Sequence, residues 1–454
     1  MEESMVSEGG GSAGRKTFAL VLLCSASLVA VLDLTIVAIA LPSVRRELGF
    51  TGGDAQWIPL RPAAPVRGWA RLVRRRLSPW RVGVGALGAG GVARLLQGVG
   101  GAALVPASLA LLSATVAEGE ERNRAMGVYG AMAGVEFVFG MVLGGVVTKF
   151  LGWRWVLFVN VPVALAVLSL APIVIHESKD EATPCTLDLA GATTATLGLA
   201  ALIYAVYEAP KDGWASPATL GTARLGAVFL GAFVAAERRA STPLVPLAVL
   251  YRRAVAVPNA AVVLKSMVGA AQLYVLTLYF QDALGRTPLE AGLLFIPMTL
   301  ASVVASPVAG RLTTRLGARH TAAWGFAMSG AGLVLVAWLM PHKGALVAVL
   351  FGMAVAEAGF VTASVPLTVA ATDGVGDDER GLASGVLSTA TELGNALGWA
   401  AVGAVIATAT AASGADALLG SLLWGLWSAI AFAVLALMLV VVFMRSSSRR
   451  QPEM

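Results

Sequence analysis

The sequence predicts an all-α protein that crosses a membrane many times. Of its 454 residues, 57% are hydrophobic and only 13% are charged, and the mean hydropathy is +0.77. A soluble domain of this length could not bury so much apolar surface. The apolar residues also form continuous runs of about 20 residues, the length of a helix that crosses the hydrocarbon core. They do not alternate with the period of two that barrel strands show, so helices are predicted.

Twelve apolar segments have the length of a membrane-spanning helix. They lie at about 17–44, 92–117, 124–149, 154–176, 187–208, 217–236, 256–281, 291–311, 320–340, 345–370, 381–411 and 420–444.

Basic residues concentrate in alternate loops between these segments. Arginine pairs such as Arg238–Arg239 and Arg252–Arg253 fall on one predicted side, together with the arginines of the tail, whereas the opposite loops hold few basic residues. Because cytoplasmic loops carry the excess of Lys and Arg, both termini are predicted to be cytoplasmic. The net charge of +6 indicates cytoplasmic loops beside anionic lipid more than binding to a nucleic acid.

The stretch 57–92 breaks the pattern. Residues 61–92 contain seven arginines, three prolines and no acidic residue, so this part cannot cross a membrane as written. It is either a basic lipid-binding loop or the product of a frameshift in a GC-rich gene, which would give the same Arg, Pro, Gly and Ala content.

Asp33 is the only charged residue in the first apolar run, 17–44. An aspartate at the centre of such a helix costs about 2.5–3.5 kcal/mol to insert, and this cost is tolerated when the side chain faces a bundle interior or a watery cavity. Asp33 is therefore a candidate proton or cation site. The alternative is a packing carboxylate that is hydrogen-bonded to a neighbouring helix.

Several motifs, in the same order along the chain, carry a family resemblance. In the first half they are 32–42 ending at Pro42, 94–98 with Arg94, Gln97 and Gly98, the glycines Gly127, Gly130, Gly134, Gly140, Gly144 and Gly145, and 153–155 with 160–162. In the second half they are 279–281 with Gly285, Pro288, Gly292 and Pro297, the loop 310–319 with Gly310, Arg315 and Gly317, and Gly381, Ser384, Gly385, Gly394 and Gly398. Together they resemble the fourteen-helix drug/proton antiporters of the major facilitator superfamily.

The resemblance implies a fold of two six-helix bundles bridged by two extra helices. The implied sections are a disordered cytoplasmic tail at 1–16, a first bundle at 17–176, linking helices and a loop at 177–255, a second bundle at 256–444, and a tail at 445–454. The family's Gly-x-x-x-Asp-Arg-x-Gly-Arg-Arg loop and both helices beside it are not recognisable in 57–92, which explains twelve segments where fourteen are expected.

The resemblance also implies a function, namely efflux of small hydrophobic or cationic drugs across the cytoplasmic membrane by alternating access, in exchange for protons. It places Arg94 inside the bundle as a partner in proton coupling, whereas an arginine near a helix start could instead snorkel to the interface. It makes the glycines of the fifth family helix a hinge between transport states, since small residues let helices approach closely.

Three further carboxylates, Glu136, Glu357 and Glu392, and the cation Lys265 lie inside apolar segments. Such residues bind substrate or carry protons, unless they sit at a membrane edge and are merely solvated. A membrane enzyme would need a catalytic cluster, and a membrane sensor would need a sizeable soluble domain; neither is recognisable. With no Gly-x-x-x-x-Gly-Lys-[Ser/Thr] loop, an ion gradient is the predicted energy source. We expect no cofactor, membrane lipid as surroundings and a monomer. A transporter inactivated by the lesion at 57–92 remains the alternative.

Overall fold

The protein is described here from a computed structural model. It describes residues 35–36, 38–44, 47, 136, 139–156, 158–159, 161–162, 165–166, 169–170, 188–240, 251–342, 344–373, 380–413 and 418–444. The chain divides into two compact units, one formed by 1–47 and 55–177 and the other by 48–54 and 178–454. The predictions for 57–92 and for the two tails lie outside the described residues.

In the first unit most of the described residues are helical. Residues 38–44 are helical (α1), as are 35, 36 and 47. The apolar helix Phe139–Phe150 follows (α2), and a single turn at Trp153–Val156 (α3) begins after Gly152.

In the second unit the described helices follow one another closely along the chain. They are α4 (Leu189–Asp212), α5 (Pro217–Glu237), α6 (Arg253–Leu278), α7 (Pro288–Leu294), α8 (Ile296–Leu316), α9 (Ala318–Leu339), α10 (Leu346–Asp373), α11 (Arg380–Ser413) and α12 (Leu418–Phe443).

Local sequence signals explain where several of these helices begin and end. Ser216 caps α5 by accepting from the backbone N–H of Thr219, and Pro217 occupies the first helical position, where its missing N–H costs nothing. Thr287 and Glu290 form a reciprocal capping box at the start of α7. Gly317 separates α8 from α9 with φ of 82°, a left-handed conformation in which any other residue would be strained. The backbone conformation at this position therefore explains why the predicted motif has a glycine there.

The pair α9 and α10 packs through glycines. A Cβ placed on Gly332 would lie 2.7 Å from the Cα of Ala356, and one on Gly359 would lie 2.7 Å from the Cα of Ser329. Side-chain atoms do not fit between the two backbones at these points. Small residues of this kind are what allow membrane helices to approach closely, where dispersion contacts rather than water release drive association.

Helix α6 is the central helix of the second unit. It packs against α10, α11 and α12. Of the residues in its most apolar stretch, 78% are buried, a larger share than in the other apolar helices of the described part. Gly398 of α11 lies against it, since a Cβ there would be 2.8 Å from the Cα of Met267. Beyond Leu278 the helix widens into a π turn, Tyr279–Ala283, which the sequence did not reveal.

Within the described residues, eight helices are long and apolar enough to cross a membrane. They coincide with the eight segments predicted from residue 187 onwards. Many of their large apolar side chains face outward, among them Trp324, Trp338 and Trp424, which are each at least 60% exposed. Outward apolar surface on this scale fits a lipid environment. The prediction of an all-α polytopic membrane protein is confirmed.

Candidate functional site

Two opposite charges are buried in the second unit. Lys265 lies on α6 and Glu357 on α10, and each side chain is about 9% exposed. Both residues sit well inside helices that span the membrane by length and composition. Charged groups at such positions are rare, and they pair with one another or face a cavity that serves transport.

The ammonium group of Lys265 has two close neighbours on α10. Its Nζ donates to the Oγ of Ser364 over 3.1 Å and lies 4.8 Å from the ring centroid of Phe360. A ring face attracts a cation electrostatically, and the attraction strengthens when water is excluded. The lysine is thus held by a hydroxyl and an aromatic face.

The spacing along α10 explains this arrangement. Glu357, Phe360 and Ser364 are separated by three and four residues, so they lie on one face of the helix, with about 10.5 Å along the axis from first to last. Lys265 reaches this face from α6 through its contacts with Ser364 and Phe360, and Glu357 lies on the same face, three residues before Phe360. We call Lys265, Glu357, Phe360 and Ser364 the charge cluster.

More polar groups are buried along α6. The side chain of Asn259 donates to the carbonyl of Val255, and that of Gln272 lies 3.6 Å from the sulfur of Met298. The side-chain amide oxygen of Gln272 and the hydroxyl of Ser266 are buried without a hydrogen-bond partner among the described residues. Buried polar atoms need partners, so these groups are ready to accept or donate to water or a polar ligand.

In the first unit, Glu136 is buried to 1% exposure and precedes α2 by three residues. Gly140 and Gly144 follow at intervals of four, the spacing that puts residues on one face of a helix. A Cβ on Gly144 would lie 2.6 Å from the Cγ2 of Ile39 and 3.0 Å from the Cα of Ile36. Gly144 therefore permits close packing against the first helix; the hinge role of these glycines stays a prediction.

The motif at Trp153–Arg154 ties its loop to the end of the first helix. The indole N–H of Trp153 donates to one carboxylate oxygen of Glu47 over 2.6 Å, and Arg154 donates to the other over 2.7 Å. The hydrogen bond from Arg154 holds the pKa of Glu47 below its usual 4.5. The motif thus has a structural explanation that the sequence alone did not give.

The remaining predicted residues fall elsewhere. Glu392 lies on α11 with an exposed side chain, and it is two residues from Gly394, hence on the opposite face from the contact with α6. Pro42 and Gly145 are buried, whereas Arg315 at the end of α8 is exposed. Gly310 is in open space, with no atom within 4 Å of a Cβ added there.

Part of the predicted site lies outside the described residues, namely Asp33, Arg94, Gln97, Gly98, Gly130 and Gly134. Conversely, sequence reasoning missed Phe360 and Ser364. Their spacing from Glu357 was a usable signal, because a hydroxyl and an aromatic ring on the face of a buried carboxylate form a natural seat for a cation.

Comparison with known proteins agrees with this architecture. The chain is 35% identical to the puromycin resistance protein of Streptomyces alboniger, over 94% of this chain and 90% of that protein. It is 34% identical to the cephamycin export protein of Amycolatopsis lactamdurans, over 96% of this chain and 94% of that protein.

A solved structure shows the same fold. It is that of a bacterial homologue of the human lysosomal transporter Spinster, in an inward-facing and occupied conformation, with a TM-score of 0.56 at 14% identity, covering 95% of this chain and 97% of that one. The chain also matches the Major Facilitator Superfamily over residues 23–255 and 259–453. A transporter and not an enzyme was predicted, and this is confirmed: the chain belongs to the Major Facilitator Superfamily.

Proposed function

We propose that this transporter exports small hydrophobic or cationic drugs or antibiotics across the cytoplasmic membrane in exchange for protons. Relatives over nearly the whole chain are named for puromycin resistance and cephamycin export, which supports drugs as the substrate class. Export would proceed by alternating access between a first bundle at 17–176 and a second bundle at 256–444. Linking helices at 177–255 would join the two, as in the fourteen-helix arrangement that the sequence resembles. The excess of arginine in alternate loops supports cytoplasmic termini.

The observation that carries the proposal is the charge cluster. A lysine and a glutamate are buried together on α6 and α10, and α6 also carries buried polar side chains, among them Ser266 and Gln272. Burying two charges costs several kcal/mol for each ion, and such a cost is characteristic of membrane segments that bind ions or substrates. Protonation of Glu357 would leave Lys265 with less opposing charge, so proton binding and the position of a charged ligand would be linked.

In the first unit, Asp33, Arg94 and Glu136 would form the corresponding proton-coupling group. Arg94 cannot lose its proton, so it would favour the ionised form of a nearby carboxylate until a proton or a cationic substrate competes. Glu136 supports this assignment because it is buried next to packing glycines. Glu392, which is exposed on α11, would meet substrate or protons outside the charge cluster.

Transport into everted membrane vesicles tests the proposal. Vesicles containing the chain, acidified inside, should accumulate puromycin faster than vesicles without it, and nigericin, which collapses the pH gradient, should stop the accumulation. Glu357→Gln should lower the rate severalfold. Asp212→Asn is the matched control, because Asp212 is an exposed carboxylate at the end of α4. Accumulation that persists after nigericin would refute proton coupling, and no accumulation of puromycin or ethidium would refute drug export by this chain.

A further inference from the structure

At one end of the second unit, a cavity of about 700 Å³ opens among α6, α8, α10 and the residue that follows α12. Its walls are apolar, with Val257 on α6, Val369 on α10 and Met444 beyond α12. Arg252 and Arg253, at the start of α6, line it as well. Among the described lining residues there is no aspartate or glutamate. Among its described lining residues, the cavity therefore combines apolar side chains with two arginines and no carboxylate.

Arg253 is fixed in place at this mouth. Its Nε donates to the carbonyl of Phe443 over 2.9 Å, and its guanidinium lies 5.6 Å from the ring centroid of the same residue. Arg319 donates to the neighbouring carbonyl of Val441. These bonds satisfy carbonyls that the end of α12 leaves open and that carry partial negative charge. A guanidinium has five N–H donors, so Arg253 keeps donors for a ligand after making these contacts.

The other polar groups of the cavity do not compete with the arginines as donors. Thr313 and Thr314 direct their hydroxyl protons to the carbonyls of Ala309 and Gly310, over 2.7 Å and 3.1 Å. Helix α6 also begins at the mouth, directly after Arg252. The first N–H groups of a helix add partial positive charge at its start.

We propose that this cavity binds an anionic phospholipid. The phosphate would meet Arg252 and Arg253, and the glycerol and upper acyl chains would lie against the apolar walls. The loop charges assign this end of the second unit to the cytoplasmic side, where the membrane surface carries anionic lipid. Basic pockets between membrane helices at that level suit such headgroups. A headgroup bound here would hold the ends of α6, α8, α10 and α12 together.

Lipid binding to the full-length protein, purified in a neutral detergent, tests this site. The probes are phosphatidylglycerol and phosphatidylcholine with identical acyl chains, and bound lipid is counted by native mass spectrometry. We expect phosphatidylglycerol to bind at least fivefold tighter, on the order of the gain from one cationic side chain beside an anionic headgroup. Arg252→Gln should weaken its binding about fivefold. Arg239→Gln should leave binding unchanged, because Arg239 is an exposed arginine at the end of α5 and does not line the cavity.

A second variant fills the cavity without touching its charge. Gly310→Phe projects a ring into the space, and Gly420→Phe on α12 is its control, since a Cβ at either position meets no atom within 4 Å. Loss of bound phosphatidylglycerol in the first variant alone is the expected result. Equal binding of the two lipids, or unchanged binding in Gly310→Phe, would overturn the proposal. Displacement of the bound lipid by millimolar inorganic phosphate would also overturn it, because it would indicate a small-anion site. So would displacement by puromycin, which would indicate a drug-binding vestibule.

Discussion

At the scale of single residues, the account depends on how a charge is kept inside the membrane. Lys265 has a hydroxyl at 3.1 Å and an aromatic face at 4.8 Å, and its opposite charge, Glu357, lies on the same face of α10 as both. Removing one member of a buried pair leaves the other charge uncompensated, whereas replacing both removes the desolvation cost together with the attraction.

This difference gives a prediction for a double-mutant cycle. Lys265→Met and Glu357→Gln should each destabilise the protein by about 1–3 kcal/mol, and the double variant should lose less than the sum of the two. Thermal unfolding of the purified protein measures the change. Asp212→Asn, at an exposed carboxylate, should leave the melting temperature unchanged. Additive losses would show that the two charges do not interact.

A second prediction concerns Glu47, whose pKa is held below 4.5 by its hydrogen bond to Arg154. A carboxyl group with a lowered folded-state pKa stabilises the protein above its unfolded pKa and loses that contribution as the pH falls through the folded value. Glu47→Gln should therefore cost up to about 1 kcal/mol near neutral pH, because the pair is half-exposed and solvent screens it. The cost should shrink as the pH falls below 4.5 and should vanish once the pH is below the lowered folded-state pKa. A difference in unfolding free energy that is independent of pH would contradict the assignment.

At the scale of secondary-structure elements, glycines set how closely α9 and α10 approach. The third prediction is that Gly332→Ala lowers the stability by about 1–3 kcal/mol, because its added Cβ would overlap the backbone of Ala356. Gly420→Ala, with open space around the new methyl group, should be nearly neutral. The melting temperatures of both variants decide this. Equal values would mean that the two helices separate without cost.

The sequence allows two interpretations of residues 57–92. The frameshift interpretation predicts that one alternative reading frame across the codons for residues 58–92 encodes an apolar run and a Gly-x-x-x-Asp-Arg-x-Gly-Arg-Arg pattern. Sequencing and translating the gene in all frames is sufficient to check it. The lipid-binding-loop interpretation is favoured instead if neither alternative frame contains them.

Sequence patterns predicted the helices of the second unit well, for physical reasons. Apolar runs of about 20 residues have few other uses, so segments such as 217–236 and 420–444 coincide with α5 and α12. Buried charge was equally visible, because Lys265 and Glu357 interrupt such runs. The spacing of Ser364 from Glu357 could have indicated a seat for a cation, but which cation fills it depends on helix packing and rotation, so its contact with Lys265 was not predictable. The cavity beside Arg253 was not predictable for the same reason. The link from Trp153 to Glu47 joins residues 106 apart and has no local signal.

At the scale of the whole molecule, family, fold and buried charge agree on a transporter. The chain belongs to the Major Facilitator Superfamily, eight helices described in its second unit are long and apolar enough to span a membrane, and that unit buries a lysine and a glutamate on adjacent helices. Exchange of a drug for protons is the claim that unites them. It requires the two fluxes to be coupled, so that neither proceeds when the other is blocked.

The most direct test measures both fluxes in proteoliposomes containing the purified protein and a trapped pH dye. Addition of puromycin outside should cause its uptake together with proton movement in the opposite direction, and Asp33→Asn should abolish the proton signal. Drug uptake at an undiminished rate with no change in internal pH would contradict the account.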